Sequence, residues 1–369
     1  MDVVIGPAVH VDRDALVHSL GRGDRCTFAG DDGELLDAIA SAGREGRGLV
    51  ISPGENELAR DARDAAEAAA CPVVWIDPGA CEGFEIAIRD RGLAGYRFGV
   101  RWLRQRLELP FDVVPYGAEP DQLGDLRLPH AGDAPFPVVV LLHGGFWRER
   151  WQRDTIEPIA IDLTRRGFAT WNLEYRRVGP HGGGWPSTCH DVAAGIDRLV
   201  ELAVQHPLDL GHVTFVGHSA GAQLALWAVA RHGASAARVR PGLVVALAGI
   251  CDLEEAARRS LGSEGNATAD FMGGLPDERR EAYAAASPLR ALPLGVPQIV
   301  VQGGRDDIAG LVELSRAYAR AVEAAGDPVD LFELPDADHF DVIDPTSEGW
   351  TRVAAQISGA NGGRSLTRS

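Results

Sequence analysis

The chain has 369 residues, 45% of them hydrophobic and 24% charged, and a formal net charge of -17. That is the composition of a soluble globular protein long enough for two cores, while the acidic balance argues against a nucleic-acid partner, whose phosphates it would repel. All 36 basic residues are arginine, which excludes a Walker A lysine, a Schiff-base lysine and a Ser-Lys dyad.

No stretch approaches the roughly 20 consecutive apolar residues that span a bilayer, so no membrane association is expected. The first residues, MDVVIGPAV, show neither a basic leader nor a cleavage pattern, so no signal peptide is expected. Cys26, Cys71, Cys81, Cys189 and Cys251 are scattered and without CxxC spacing. They predict reduced, mostly buried thiols in a cytoplasmic protein, without a disulfide framework or a metal site.

Along the chain, Asp2–Ile5, Gly48–Ile51 and Pro72–Ile76 are short apolar runs that predict buried strands. Glu34–Ala42 and Glu57–Ala70 lie between them, with apolar residues at helical spacing. Strands alternating with helices predict a parallel sheet covered on its faces. A helix from Tyr96 to about Leu109 ends at Pro110, which cannot continue it. This rhythm defines a first domain over residues 1–107.

From residue 108 the pattern changes. Asp112–Tyr116 and Gly124–Leu128 alternate polar and apolar residues, as an antiparallel edge does. Val138–Leu142, Ala169–Leu173, Val213–Val216, Leu243–Ala248, Gln298–Val301 and Val329–Leu334 follow, each separated from the next by helix-compatible sequence. An antiparallel edge followed by parallel strands predicts an open, doubly wound sheet over residues 108–359. The stretch 360–369, ANGGRSLTRS, reads as a loose tail.

Four motifs in this second region carry chemistry. Gly217-His218-Ser219-Ala220-Gly221 stands between the buried run VTFV and the helix-compatible AQLALWAVA. This is the nucleophile elbow Gly-x-Ser-x-Gly, in which small residues permit a turn that lifts the serine hydroxyl out at a helix N-terminus. His143-Gly144-Gly145-Phe146-Trp147 directly follows the strand VVVLL, where an oxyanion loop belongs. Backbone N–H groups of Gly144, Gly145 or Phe146 and of Ala220 are therefore oxyanion-hole candidates, Gly145 foremost. Asp306 follows the strand QIVV in Gly-Gly-Arg-Asp-Asp, and His339 follows LFEL in Asp-His-Phe. The order Ser219, Asp306, His339 assigns nucleophile, acid and base. Asp307 is the rival acid; the Gly-x-x-Asp spacing favours Asp306.

The substrate-pocket candidates are His143, Trp147, His218 and Trp185, with Arg148 and Trp151 beside the oxyanion loop. His218 reads more readily as a loop-packing residue than as a second base. Arg176 and Arg177 are candidates to meet a substrate carboxylate, though paired arginines are commoner. Leu261–Pro288 occupies the place of a lid or cap.

Residues from about Asp112 to Ile357 resemble α/β-hydrolases of the esterase and arylformamidase (kynurenine formamidase) type. Tyr116-Gly117 with Gln122, the Leu-Arg-Leu-Pro that follows, HGGFW, GHSAG, GGRDD and DHF carry the resemblance. It implies an α/β-hydrolase fold and hydrolysis of a small carboxylic ester, or of an aryl formamide, through an acyl-serine intermediate. No metal or organic cofactor is implied.

Residues 1–107 resemble type II 3-dehydroquinate dehydratase, a small flavodoxin-like enzyme. Ile5-Gly6-Pro7, Asp32-Gly33-Glu34-Leu35-Leu36-Asp37, GLVISPG, CPVVWID and Gly95-Tyr96 carry this resemblance. Its functional positions depart from the family. The segment between Gly6-Pro7 and Asp32 has no tyrosine for the family's lid, and Ser52 replaces an asparagine. Asp77 stands where the family has its general-acid histidine. The resemblance thus implies a degenerate domain kept for structure, substrate presentation or self-association into a homo-oligomer, without dehydratase activity.

Overall fold

The structure is a computed structural model that describes residues 1–360 apart from 22, 55, 80–83, 85, 232–236 and 263–264. Cys81 and nearly all of the expected tail, residues 361–369, lie outside the described residues. The chain divides into two compact units, Met1–Pro110 and Phe111–Ser369.

The first unit contains strands β1 (Asp2–Ile5), β2 (Arg25–Phe28), β3 (Leu49–Ser52), β4 (Val73–Ile76) and β5 (Ala87–Ile88). Between them run helices α1 (Arg13–Ser19), α2 (Asp32–Arg44) and α3 (Asn56–Ala68), and α4 (Gly92–Glu108) closes the unit. The sheet order is β2-β1-β3-β4-β5 and every pairing is parallel. Strand alternation sorts the core between the two faces. Val4, Leu49, Ile51, Val73 and Trp75 cluster with Leu35 and Ile39 of α2 and Ala59 and Ala62 of α3. Val50, Val74 and Ile76 meet α4, where Gly99 packs so closely that a Cβ would lie 3.1 Å from both Val50 and Ile76. The sequence reading missed α1 and β2. Helix α1 is short with one fully buried residue, Leu16, and β2 is an edge strand without a solid apolar run.

The second unit is built on an eight-stranded sheet. Its strands are β6 (Asp112–Pro115), β7 (Leu123–Arg127), β8 (Phe136–Leu142), β9 (Ala169–Leu173), β10 (Leu208–His218), β11 (Leu243–Leu247), β12 (Gln298–Gly303) and β13 (Val329–Leu334). The order is β13-β12-β11-β10-β8-β9-β7-β6. Strand β7 pairs antiparallel with β6 and β9, and every other pairing is parallel. The central strands β8, β9 and β11 bury almost every residue, hence their near-continuous apolar runs. Helices α5 (Glu157–Arg165), α6 (Ser187–Asp197) and α7 (Leu199–Gln205) precede helix α8 (Ala220–Ala230), which is apolar all round and almost wholly buried.

Strand β7 departs from the half-exposed edge that its alternation suggests: all five residues are buried, Asp125 and Arg127 included. Asp125 accepts from Arg153 Nε at 2.9 Å and Arg127 pairs with Glu157. Alternating polarity here records ion pairs on a covered face, not exposure to water.

Candidate active site

Four connections carry the site residues, at the C-terminal ends of β8, β10, β12 and β13. The turn from β10 into α8 carries Ser219 at φ 54° and ψ -118°. A non-glycine residue in that region stores of the order of 1–3 kcal/mol of strain. The flanking glycines show why the turn closes. A Cβ on Gly217 would lie 2.2 Å from the Gly221 carbonyl oxygen, and one on Gly221 would lie 2.1 Å from that of Leu142. The Ser219 N–H donates to the Leu247 carbonyl at 2.8 Å, tying the elbow to β11.

Asp306 and His339 come from the loops after β12 and β13. The Gly303-Gly304 pair lets these loops touch: a Cβ on Gly303 would meet the Ala337 oxygen at 2.5 Å, and one on Gly304 the Pro335 oxygen at 2.7 Å. Arg305 N–H then donates to the Ala337 carbonyl at 2.9 Å. This close approach sets His339 Nδ1 2.8 Å from Asp306 Oδ2. Burial opposes ionisation of Asp306, but hydrogen bonds from His339, Ile308 N–H and the Gln302 amide outweigh it and hold the carboxyl below its ordinary value. Asp307, the rival, makes no such contact with His339 and instead lines the adjoining cavity.

That cavity, about 390 Å3, is lined by Ser219, His339, His218, Gly144, Gly145 and Phe146, with Trp151, Phe340 and Leu261 among its apolar walls. Gly145 (φ 112°), Phe146 (φ 52°) and Trp147 (φ 55°) are three successive left-handed residues. They fold the β8 loop beside the serine. His218 is buried and donates from Nε2 to the His339 carbonyl at 2.9 Å. Burial, then the neighbouring His339, pushes its pKa down to about 3. It is therefore a neutral packing residue that also borders the cavity.

Three pocket expectations are corrected. His143 is wholly buried, with Nδ1 2.7 Å from the Gly144 carbonyl and Nε2 2.8 Å from Glu174 Oε1. It faces away from the cavity because Glu174 and the stacked Tyr175 ring, 4.4 Å off, hold it beneath the loop. Trp147 is likewise buried, stacks on Phe271 at 4.4 Å and donates Nε1–H to Gln223 at 3.2 Å. The positive φ at Trp147 turns its ring into the core. Trp185 packs edge-on against Trp227 and does not line the cavity.

Arg176 and Arg177 take the commoner of the two readings, ion pairing within the protein. Arg176 pairs with Asp191 at 2.8 Å, and Arg177 is buried against Glu174 and Asp121. Of the segment expected as a lid or cap, Leu261, Gly262 and Ala267 line the cavity. Phe271 and Met272 instead enter the core.

Sequence reasoning missed Glu174 and Gln302. Burial opposes the charge of Glu174, but Arg177, His143 and Arg153 outweigh it and hold the carboxyl well below its ordinary value. A polar residue closing a buried apolar strand was the available signal for both. Among the described residues, no group of three or more His, Cys, Asp or Glu side chains is placed to hold a metal ion. Nor is any helix there long and apolar enough to cross a membrane.

The mixed sheet, with Ser219 and His339 lining one cavity and Asp306 hydrogen-bonded behind the imidazole, is that of a hydrolase of the α/β class. A match to the BD-FAE family spans residues 124–319, and the chain belongs to that family. It is similar to a kynurenine formamidase of Danio rerio, 24% identical over 234 residues, covering 63% of this chain and 75% of the relative. Among solved structures it resembles a bacterial heroin esterase with a TM-score of 0.55 and 23% identity, covering 68% of this chain and 82% of that one. The esterase LipW from Mycobacterium marinum also superposes with a TM-score of 0.55, at 22% identity, over 72% of this chain and 85% of its own.

Proposed function

We propose that the enzyme cleaves a small carboxylic ester by two-step acyl transfer. The observation that carries this reading is the 2.8 Å hydrogen bond between Asp306 and His339, which shares a cavity with the strained Ser219. Ser219 Oγ attacks the carbonyl carbon and His339 Nε2 takes its proton, with Asp306 holding the imidazole in the tautomer that leaves Nε2 open. Backbone N–H groups of Ala220 and Gly145, with Gly144 and Phe146 beside them, stabilise the oxyanion, each donor contributing about 3 kcal/mol. The imidazolium returns its proton to the leaving alcohol. Water then attacks the acyl-serine through the same base, freeing the acid and restoring Ser219. These steps use protein groups and water alone.

The formamidase relatives favour a second reading, hydrolysis of an aryl formamide by the same residues. Rates on p-nitrophenyl acetate and N-formylkynurenine, measured side by side with Ser219→Ala as control, separate the two. Faster ester turnover lost in the variant supports the first. Preference for the formamide replaces it with the second.

For the first unit, the parallel order β2-β1-β3-β4-β5 supports a flavodoxin-like, dehydroquinase-like domain. Asp77 and Ser52 in place of the family's histidine and asparagine support a domain without dehydratase activity.

A further inference from the structure

Three guanidinium groups, Arg148, Arg150 and Arg259, line the cavity that holds Ser219 together with one carboxylate, Asp307, and Arg148 also pairs with Asp270 at 2.7 Å. They stand out in a chain whose net charge of -17 repels anions at long range. They come from different segments. Arg148 and Arg150 follow the β8 loop, and Arg259 follows helix α9 (Leu253–Arg258). Arg259 reaches toward the loop that carries the acid: a Cβ on Gly310 would lie 2.8 Å from its Nη1. Aromatic side chains line the same cavity, with Arg150 5.5 Å over the Trp151 ring and Trp151 6.0 Å from Phe340.

We infer that the substrate carries an anionic group, a carboxylate, which Arg259 and Arg150 bind across the cavity from Ser219, with Arg148 completing the basic wall. This rests on the serine-hydrolase reading above. A guanidinium has five N–H donors, and Arg259 engages Glu255 through Nε at 2.7 Å. That ion pair is solvent-exposed, so its contribution is small and a substrate carboxylate competes for the same cation. A planar fork matched to carboxylate geometry, beside aromatic walls, selects a flat acid over a neutral ester of the same size.

The test uses the full-length enzyme and two matched ester pairs. Phenyl acetate against 4-acetoxybenzoate puts the charge on the leaving group. p-Nitrophenyl butyrate against mono-p-nitrophenyl succinate puts it on the acyl group. In at least one pair, kcat/KM of the anion should exceed that of its neutral partner by about tenfold. Arg259→Gln and Arg150→Gln should each pull that ratio toward one, and Arg259→Glu should invert it. High NaCl should lower the wild-type ratio, a readout that needs no variant to fold. Neutral preference in both pairs, or a ratio that the variants and salt leave in place, overturns the inference while leaving the hydrolase reading intact. A wild-type enzyme inert on all four esters overturns the ester reading and the inference with it.

Discussion

Gly144 stands so close to Ser219 that a Cβ on it would lie 2.9 Å from the serine Cβ and 2.8 Å from His218 Nδ1. The loop after β8 and the turn that carries Ser219 are thus in contact, and their spacing is set by the absence of a side chain. Gly144→Ala should lower kcat about a hundredfold by displacing the donors from the oxyanion, with far-UV circular dichroism unchanged. Wild-type kcat in the variant would show that the loop does not hold the oxyanion.

The hydrogen bond from His339 to Asp306 makes a second prediction. Asp306→Asn should lower kcat about ten-thousandfold by favouring the wrong tautomer of His339. Asp307→Asn, which leaves that bond in place, should cost far less. Equal losses from the two would contradict the assignment. His218→Gln should also cost far less than His339→Gln, since His218 is a neutral donor to a backbone carbonyl.

Glu174 links stability to pH. Its folded carboxyl is held below its ordinary value of 4.5, despite burial, by Arg177, His143 and Arg153. A depressed pKa stabilises the fold fully above the ordinary value, and that contribution is lost as pH falls below it toward the folded value. The wild-type Tm should therefore drop on acidification below about pH 4.5. Glu174→Gln should start from a lower Tm and lose less over the same range. The neutral amide removes the titration and leaves Arg177 and Arg153 buried with one carboxylate fewer, Asp121 and Asp125 remaining. Parallel Tm curves for the two proteins would contradict this account.

Trp147 tests the corrected pocket. Trp147→Phe should destabilise the fold by about 1–3 kcal/mol, because Gln223 Oε1 loses its buried donor. KM should hardly move, as the ring does not border the cavity. A large rise in KM at unchanged stability would return Trp147 to the substrate pocket.

Much of this site was legible because its motifs are consequences of close packing. Gly217 and Gly221 are glycine because carbonyl oxygens occupy the place of a Cβ, and Gly303-Gly304 because two loops touch there. Each of the six runs expected as parallel strands in the second unit became a strand; five are buried on both faces and carry no alternation to misread, while the sixth, β13, is a half-exposed edge. What was not legible is where side chains point. His143 and Trp147 adjoin the catalytic glycines in sequence, yet backbone geometry and buried partners take both away from the cavity. Arg150 and Arg259 are far apart in sequence and meet at the cavity only through the fold. The short elements α1 and β2 lacked a long enough apolar period to register.

The most direct test of the central claim is intact-protein and peptide mass spectrometry after treatment with a fluorophosphonate. The account predicts one adduct, on Ser219, formed in step with the loss of esterase activity, and none in Ser219→Ala. An adduct on another residue, or full activity in a protein without one, would contradict it.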